Sequence, residues 1–195
     1  MAFGLAAIIA VTPAMAEAPD AVRAPVQALS EGLLSIMKGA AKLGFTGRAA
    51  QIGPIVDHSF DLPLMARLSV GPEWTSASPA DRTALINAFR RLTVNQYAAN
   101  FDGWSGQAFV ISPKVEARGL DRLVNTTLTQ PKGNDVKIGY RLRQNGTDWR
   151  IIDVFYQNSI SQLATRRDDF QTILAKGGVK ALVGHINLLA DKAAH

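Results

Sequence analysis

Val136-Lys137-Ile138-Gly139-Tyr140-Arg141-Leu142-Arg143, closed by Gln144-Asn145-Gly146-Thr147 and followed by Trp149-Arg150-Ile151-Ile152-Asp153-Val154-Phe155-Tyr156, decides the fold class. In the first run, Val136, Ile138, Tyr140 and Leu142 alternate with Lys137, Gly139, Arg141 and Arg143. A period of two lays the apolar set on one face of a strand and the cations on the other. Asn-Gly between two such runs is hairpin chemistry, because the tight turn needs a residue that tolerates positive φ. The second run is expected to pair back antiparallel. Ile152, Val154 and Tyr156 are expected on one of its faces, with Trp149, Ile151 and Phe155 beside Asp153 on the other. Large apolar groups on both faces make it a central strand.

Working outward, Pro131-Lys132-Gly133-Asn134 supplies the preceding turn, and residues 123–130 become the next strand. Residues 107–116 add another, broken or bulged around Pro113, giving an antiparallel meander of about four strands. Upstream the period becomes helical. Val26, Leu29, Leu33, Ile36 and Ala40 lie on one stripe, with Pro25 as first helical residue and Gly44 as a stop. Thr46 is expected to cap a helix through Ile55, Asp61-Leu62-Pro63 to start a third, and Ser78-Pro79-Ala80-Asp81 a fourth carrying Leu85, Ile86, Phe89, Leu92 and Tyr97. Downstream, Ser159 or Ser161 caps a helix through Phe170 and Leu174, Gly177-Gly178 stops it, and Val179, Leu182, Val183, Ile186 and Leu189 form the last one. Helices, a meander and two more helices make one α+β domain.

The chain has 195 residues and no cysteine, which excludes a disulfide scaffold and a zinc-thiolate centre. Residues 2–11 are apolar and precede Ala14-Met15-Ala16, a small-x-small cleavage pattern, so residues 1–16 read as a signal peptide and 17–195 as the exported domain. The apolar run is half as long as a bilayer-spanning helix needs to be. The formal charge is +5 and all of the excess lies after Ser105, which suits an anionic partner, nucleic acid being disfavoured by export, or serves only as a solvated face. Lys137, Arg141 and Arg143, joined by Arg150, form the expected basic face.

The catalytic inventory is thin. His58 lies between Asp57 and Asp61, a spacing open to an oriented base or a partial metal site, or simply to a surface histidine at a helix end. His185 falls near an apolar stripe, and His195 is in the tail. Neither a nucleophile elbow nor a phosphate-cradling glycine loop nor a His-x-x-x-His pair occurs. No cofactor or metal is expected. Asp153 is the one carboxylate committed to an apolar strand, and if buried it needs a partner.

Several blocks resemble, in order and spacing, the periplasmic lipid-shuttle proteins of MlaC type, also called the toluene-tolerance or ABC-transporter auxiliary family. They begin with Ser59-Phe60-Asp61-Leu62-Pro63-Leu64-Met65-Ala66-Arg67 and Gly71-x-x-Trp74, then Ser78-Pro79-Ala80-Asp81-Arg82 with Phe89, Leu92 and Tyr97. Tyr140-Arg141-Leu142, Trp149 to Val154, Ser161 with Arg167 and Phe170, and Gly178-x-x-x-Leu182 complete the set. Ser161-Gln162-Leu163-Ala164 with Arg166-Arg167 is similar to the hopanoid-associated HpnM branch. Where the family commonly has Gly after the Asp-Val strand, this chain has Gln157-Asn158-Ser159; Asn tolerates the left-handed backbone nearly as well.

The resemblance implies an NTF2-like curved antiparallel sheet wrapped by N-terminal and C-terminal helices, holding lipid tails in between. It implies a monomeric carrier of phospholipid or hopanoid, exchanging cargo with an inner-membrane ABC transporter complex and an outer-membrane lipoprotein complex. The expected lining is Leu64, Met65, Leu68, Phe89, Leu92 and Tyr97 from the helices, Tyr140, Ile152, Val154 and Tyr156 from the sheet, and Phe170. Ordinary core packing uses the same residue types. Arg167, at a family-matching position, is the expected ion-pair partner of Asp153. Two other classes remain open: an NTF2-like enzyme with His58 or Asp153 as base, and a ligand-free basic adaptor on a membrane complex.

Overall fold

A computed structural model describes residues 19–194. The expected signal peptide and His195 lie outside the described residues. The helical half comprises α1 (Pro19–Lys38), α2 (Ala40–Ser59), α3 (Leu62–Val70), the single turn α4 (Glu73–Ser76) and α5 (Pro79–Asn100). Then come β1 (Ala108–Arg118), β2 (Asp121–Thr129), β3 (Val136–Asn145), β4 (Asp148–Tyr156), the two-residue β5 (Ile160–Ser161) and the long α6 (Gln162–Lys192). The five strands form one antiparallel sheet in chain order.

Local chemistry accounts for most boundaries. Asp61 accepts from the Leu64 amide at 3.0 Å and Pro63 sits in the first turn of α3. Ser78 accepts from the Asp81 amide at 3.1 Å ahead of Pro79. Gly178 (φ 65°) breaks α6 as the Gly177-Gly178 reading expects, whereas the first helix stops at Lys38, short of the expected Gly44, and Gly44 (φ 59°) breaks α2 instead. Pro25 differs from the expectation. α1 begins six residues earlier, at Pro19, and continues through Pro25, whose ring is buried and which offers no N–H to the Ala21 carbonyl.

β1 shifts register between Ile111 and Val115, so the segment around Pro113 is a bulge inside one strand. A second bulge corrects the sequence reading of β4. Arg141 pairs with Asp153 and Leu142 with Ile151, leaving Ile152 as the extra residue. The alternation therefore changes phase there, and Trp149 and Ile151 share the inner face with Val154 and Tyr156. Heavy apolar content in β4 reflects this switch of phase, which an alternation count reads as two apolar faces.

The inner face of the sheet is covered by helices. α1 packs on β1, β2 and β4, while α3, α5 and α6 pack on one another, with α3 and α6 also reaching β4. Leu29, Leu33, Ile36, Ile52, Leu142 and Ile151 are fully buried in the resulting core. At the other end of β4, Gln157 (φ 52°) and Asn158 (φ 56°) form the turn into β5, closed by the Ser159 amide to the Tyr156 carbonyl at 3.2 Å. Successive left-handed residues are most easily supplied by Gly or Asn. Gln157→Gly is accordingly expected to raise stability by about 0.5–1 kcal/mol in chemical denaturation. A loss instead would mean that the Gln157 side chain holds something the backbone does not.

Candidate functional site: an apolar cavity between sheet and helices

Beyond the end of the sheet that α1 fills, the inner face is not packed solid. A cavity of about 430 Å³ lies between the strands and the roof made by α3, α5 and α6, within the ~300–1,000 Å³ range of ligand pockets. Its floor is fixed by strand register. Leu128 pairs with Val136, Ile138 with Tyr156 and Tyr140 with Val154, so all six point to one face. The roof is a helical stripe on α5, where Phe89, Thr93, Gln96, Tyr97 and Asn100 follow one another at helical spacing. Met65 of α3 and Phe60 close one end, and Gln162, Leu163 and Arg166 of α6 the side.

Phe60 is held by the sheet itself, through a bridge to Ile151 and the Asp61 amide to the Ile151 carbonyl at 2.9 Å. From it an aromatic row runs along the wall. Phe60 and Tyr97 lie 5.9 Å apart, Tyr97 and Phe101 6.0 Å, and Phe101 and Phe109 6.2 Å between ring centroids. Tyr140 is buried and Tyr156, at 48% exposed, stands at the mouth. Burial raises the pKa of both Tyr97 and Tyr140, so their hydroxyls stay neutral at any physiological pH.

The structure brings Met65, Phe89, Tyr97, Tyr140, Val154 and Tyr156 to this cavity and places the other expected lining residues elsewhere. Leu92 and Phe170 are sunk in the solid core, and Leu64 is packed against that core while Leu62 takes the buried position. Ile152, put out of phase by the bulge, and Leu68 border a separate hollow of about 280 Å³ with Asp153 and Arg167. Sequence reasoning missed Phe60, Phe101, Leu128, Val136, Ile138 and Leu163. It also missed the polar members Thr93, Gln96, Asn100, Gln162 and Arg166. Val136 and Ile138 carried a usable signal, since they share the alternation of Tyr140.

The expected pair of Asp153 with Arg167 does not form. Asp153 is 3% exposed, and its oxygens accept from the Ser161 hydroxyl at 2.6 Å, the Leu163 amide at 3.0 Å and its own neighbour's amide, Val154, at 2.8 Å. Ser161 in turn accepts from the Ala164 amide at 2.9 Å. The carboxylate thus satisfies the open N-terminus of α6 in place of a cation, and the positive end of the helix favours its charge. Arg167 lies instead beside Gly71, where an added Cβ would come within 3.6 Å of its guanidinium.

The expected basic face is also largely spent internally. Asp121, 1% exposed, receives Arg143 through Nε at 2.6 Å and Nη2 at 3.0 Å, and Arg141 through Nε. Arg150 donates to the carbonyls of Asp57 and His58 and pairs with Asp148. Lys137 alone of the four is exposed, the three arginines being half-buried. His58 is exposed outside the cavity; Asp57 is engaged by Arg90 at 2.6 Å, and Asp61 by the Leu64 amide and by Asn145 at 3.0 Å. Neither His58 nor Asp153 is on the cavity wall. His185 is half-buried on α6. Among the described residues, no group of three or more His, Asp or Glu side chains is arranged to hold a metal ion.

An antiparallel sheet whose inner face is half core and half ligand-sized apolar cavity, under a helical roof, defines a class of α+β pocket proteins. The chain belongs to the MlaC protein family, whose model matches residues 27–187. It is similar in fold to the solved structure of the phospholipid-binding protein from Ralstonia solanacearum in complex with a phospholipid, with a TM-score of 0.75 and 21% identity over 89% of this chain and 99% of that one.

Proposed function

We propose that this protein is a periplasmic lipid carrier that takes acyl chains into the cavity between sheet and helices. The observation that carries the reading is the unfilled space of about 430 Å³ walled by Phe60, Met65, Phe89, Ile138, Tyr140 and Val154. Family membership and the phospholipid held by the structural relative support it. Removing one CH₂ from water is worth about 0.8 kcal/mol, so a ~16-carbon chain crossing an aqueous space needs on the order of 12 kcal/mol of shielding. A pocket that is apolar like the bilayer supplies that shielding while leaving exchange with either membrane near balance. Phospholipid is the first cargo in this proposal, with hopanoid as the extension drawn from the HpnM-like stretch. Loading and unloading fall to an inner-membrane ABC transporter complex and an outer-membrane lipoprotein complex.

The test is lipid extraction and mass spectrometry of protein purified without added lipid, beside Val154→Trp. Val154 faces Tyr140 across the floor, so an indole there fills the space. Wild type is expected to carry lipid near one molecule per chain, and the variant at least about fivefold less with native secondary structure. Lipid-free wild type of normal stability would overturn the reading.

A further inference from the structure

The cavity wall has one polar sector, and its centre is Arg166. The guanidinium lies over the Phe89 ring, 4.8 Å from its centroid, and donates to the Gln96 side-chain carbonyl. Among the described residues, no carboxylate lies within ion-pair distance of it. The acid that acts on it electrostatically is Asp153, whose oxygens are already taken by Ser161 and backbone amides. Arg166 is half-buried, and burial lowers its pKa. Arginine carries five N–H donors in a planar fork, and Gln96 accounts for one contact. Tyr97, which feels the Arg166 charge, and Tyr140, which feels Tyr97, stand on the same wall. Asn100 and Gln162, both exposed, continue the polar sector to the surface, while the buried end of the cavity is apolar.

A half-buried cation without a counter-charge carries a desolvation cost, and a planar fork facing an open cavity matches a two-oxygen acid group. We infer that the cavity selects anionic amphiphiles, with the carboxylate or phosphate oxygens of the head seated on Arg166 near the rim and the chain running inward over Tyr140. The inference rests on the carrier reading above and narrows it. Neutral lipids of the same length gain the apolar contacts but leave the guanidinium unpaired.

Delipidated protein is titrated by native mass spectrometry with matched probes: palmitate against hexadecanol, and dipalmitoyl phosphatidate against dipalmitoyl glycerol. Wild type is expected to bind at least one acid about tenfold more tightly than its neutral partner. Arg166→Leu is expected to bring the acid-to-neutral affinity ratio to within about twofold of one, and Arg166→Lys to keep part of the preference, since a point charge lacks the fork. Preference for palmitate alone assigns the head as a carboxylate, preference for phosphatidate alone as a phosphate. Equal binding of acid and neutral probes by wild type, or a preference that survives in Arg166→Leu, would overturn the selectivity and leave the carrier intact. Binding of none of the four probes would remove both.

Discussion

Replacing Asp121 with alanine is expected to cost about 3 kcal/mol of folding free energy, the lower end of what breaking a buried ion pair costs. The carboxylate is sealed beneath two arginines on neighbouring β3, opposite its own strand position: Asp121 pairs in register with Arg143. Both guanidiniums keep contact with water, their side chains being 41% and 36% exposed, so they rehydrate when the anion is removed. That places the effect near 3 rather than 5 kcal/mol, or a melting temperature lower by about 6–12 °C in a chain of this size. A loss below about 1 kcal/mol would show that the Arg141–Asp121–Arg143 group is decorative.

The same group fixes an acid dependence. Burial alone would raise the Asp121 pKa, but the hydrogen bonds and charges of Arg143 and Arg141 outweigh it and hold the carboxyl below its ordinary 3.8. A depressed folded-state pKa means that the contribution is fully present above the unfolded value and is lost as pH falls through the folded one. The stability gap between wild type and Asp121→Asn is therefore expected to be flat from about pH 7 to pH 5 and to narrow only below about pH 4. A gap already closing between pH 7 and 5 would assign it to another group.

Legibility from sequence followed the strength of the local signal. The β3–β4 hairpin was readable because alternation and Asn145-Gly146 agree, although Gly146 alone takes the positive φ and Asn145 stays in the strand. The bulge at Ile152 was not, because Trp149 to Tyr156 is apolar in either phase and the shift shows only against a partner strand. Arg141 and Arg143 read as a free cationic face because their anion arrives from β2, outside any window that a period count uses. Within α5, Phe89 borders the cavity and Leu92 is solid core, a distinction set by what stands across from each residue. Arg166 was legible as part of the Arg166-Arg167 resemblance but not as a wall residue, because a charged helix residue ordinarily faces water. The helical spacing of Phe89, Thr93, Gln96, Tyr97 and Asn100 would have disclosed the polar sector had hydrophilic positions been counted on the inward stripe.

Asp153→Ala is the second large effect expected, again about 3 kcal/mol, and it reaches the ligand as well as the fold. The substitution strands the Leu163 and Val154 amides and the Ser161 hydroxyl, partly buried donors that sit toward the lower end of the about 1–3 kcal/mol an unmet buried donor costs. The hollow of about 280 Å³ beside Asp153 admits water, which offsets part of that sum. Ser161→Ala removes one helix cap while the carboxylate still holds the Leu163 amide, so about 1 kcal/mol is expected there. The two losses differ because Asp153 ties β4 to the first turn of α6, and that turn places Gln162, Leu163 and Arg166 on the cavity wall. If the carboxylate positions the wall, Asp153→Ala will lose bound lipid at temperatures where its circular dichroism is still native, and Ser161→Ala will not. Equal lipid retention by both variants, despite unequal stability, would mean that the wall is held by packing of α6 on α5 and that the Asp153 anchor serves the fold alone.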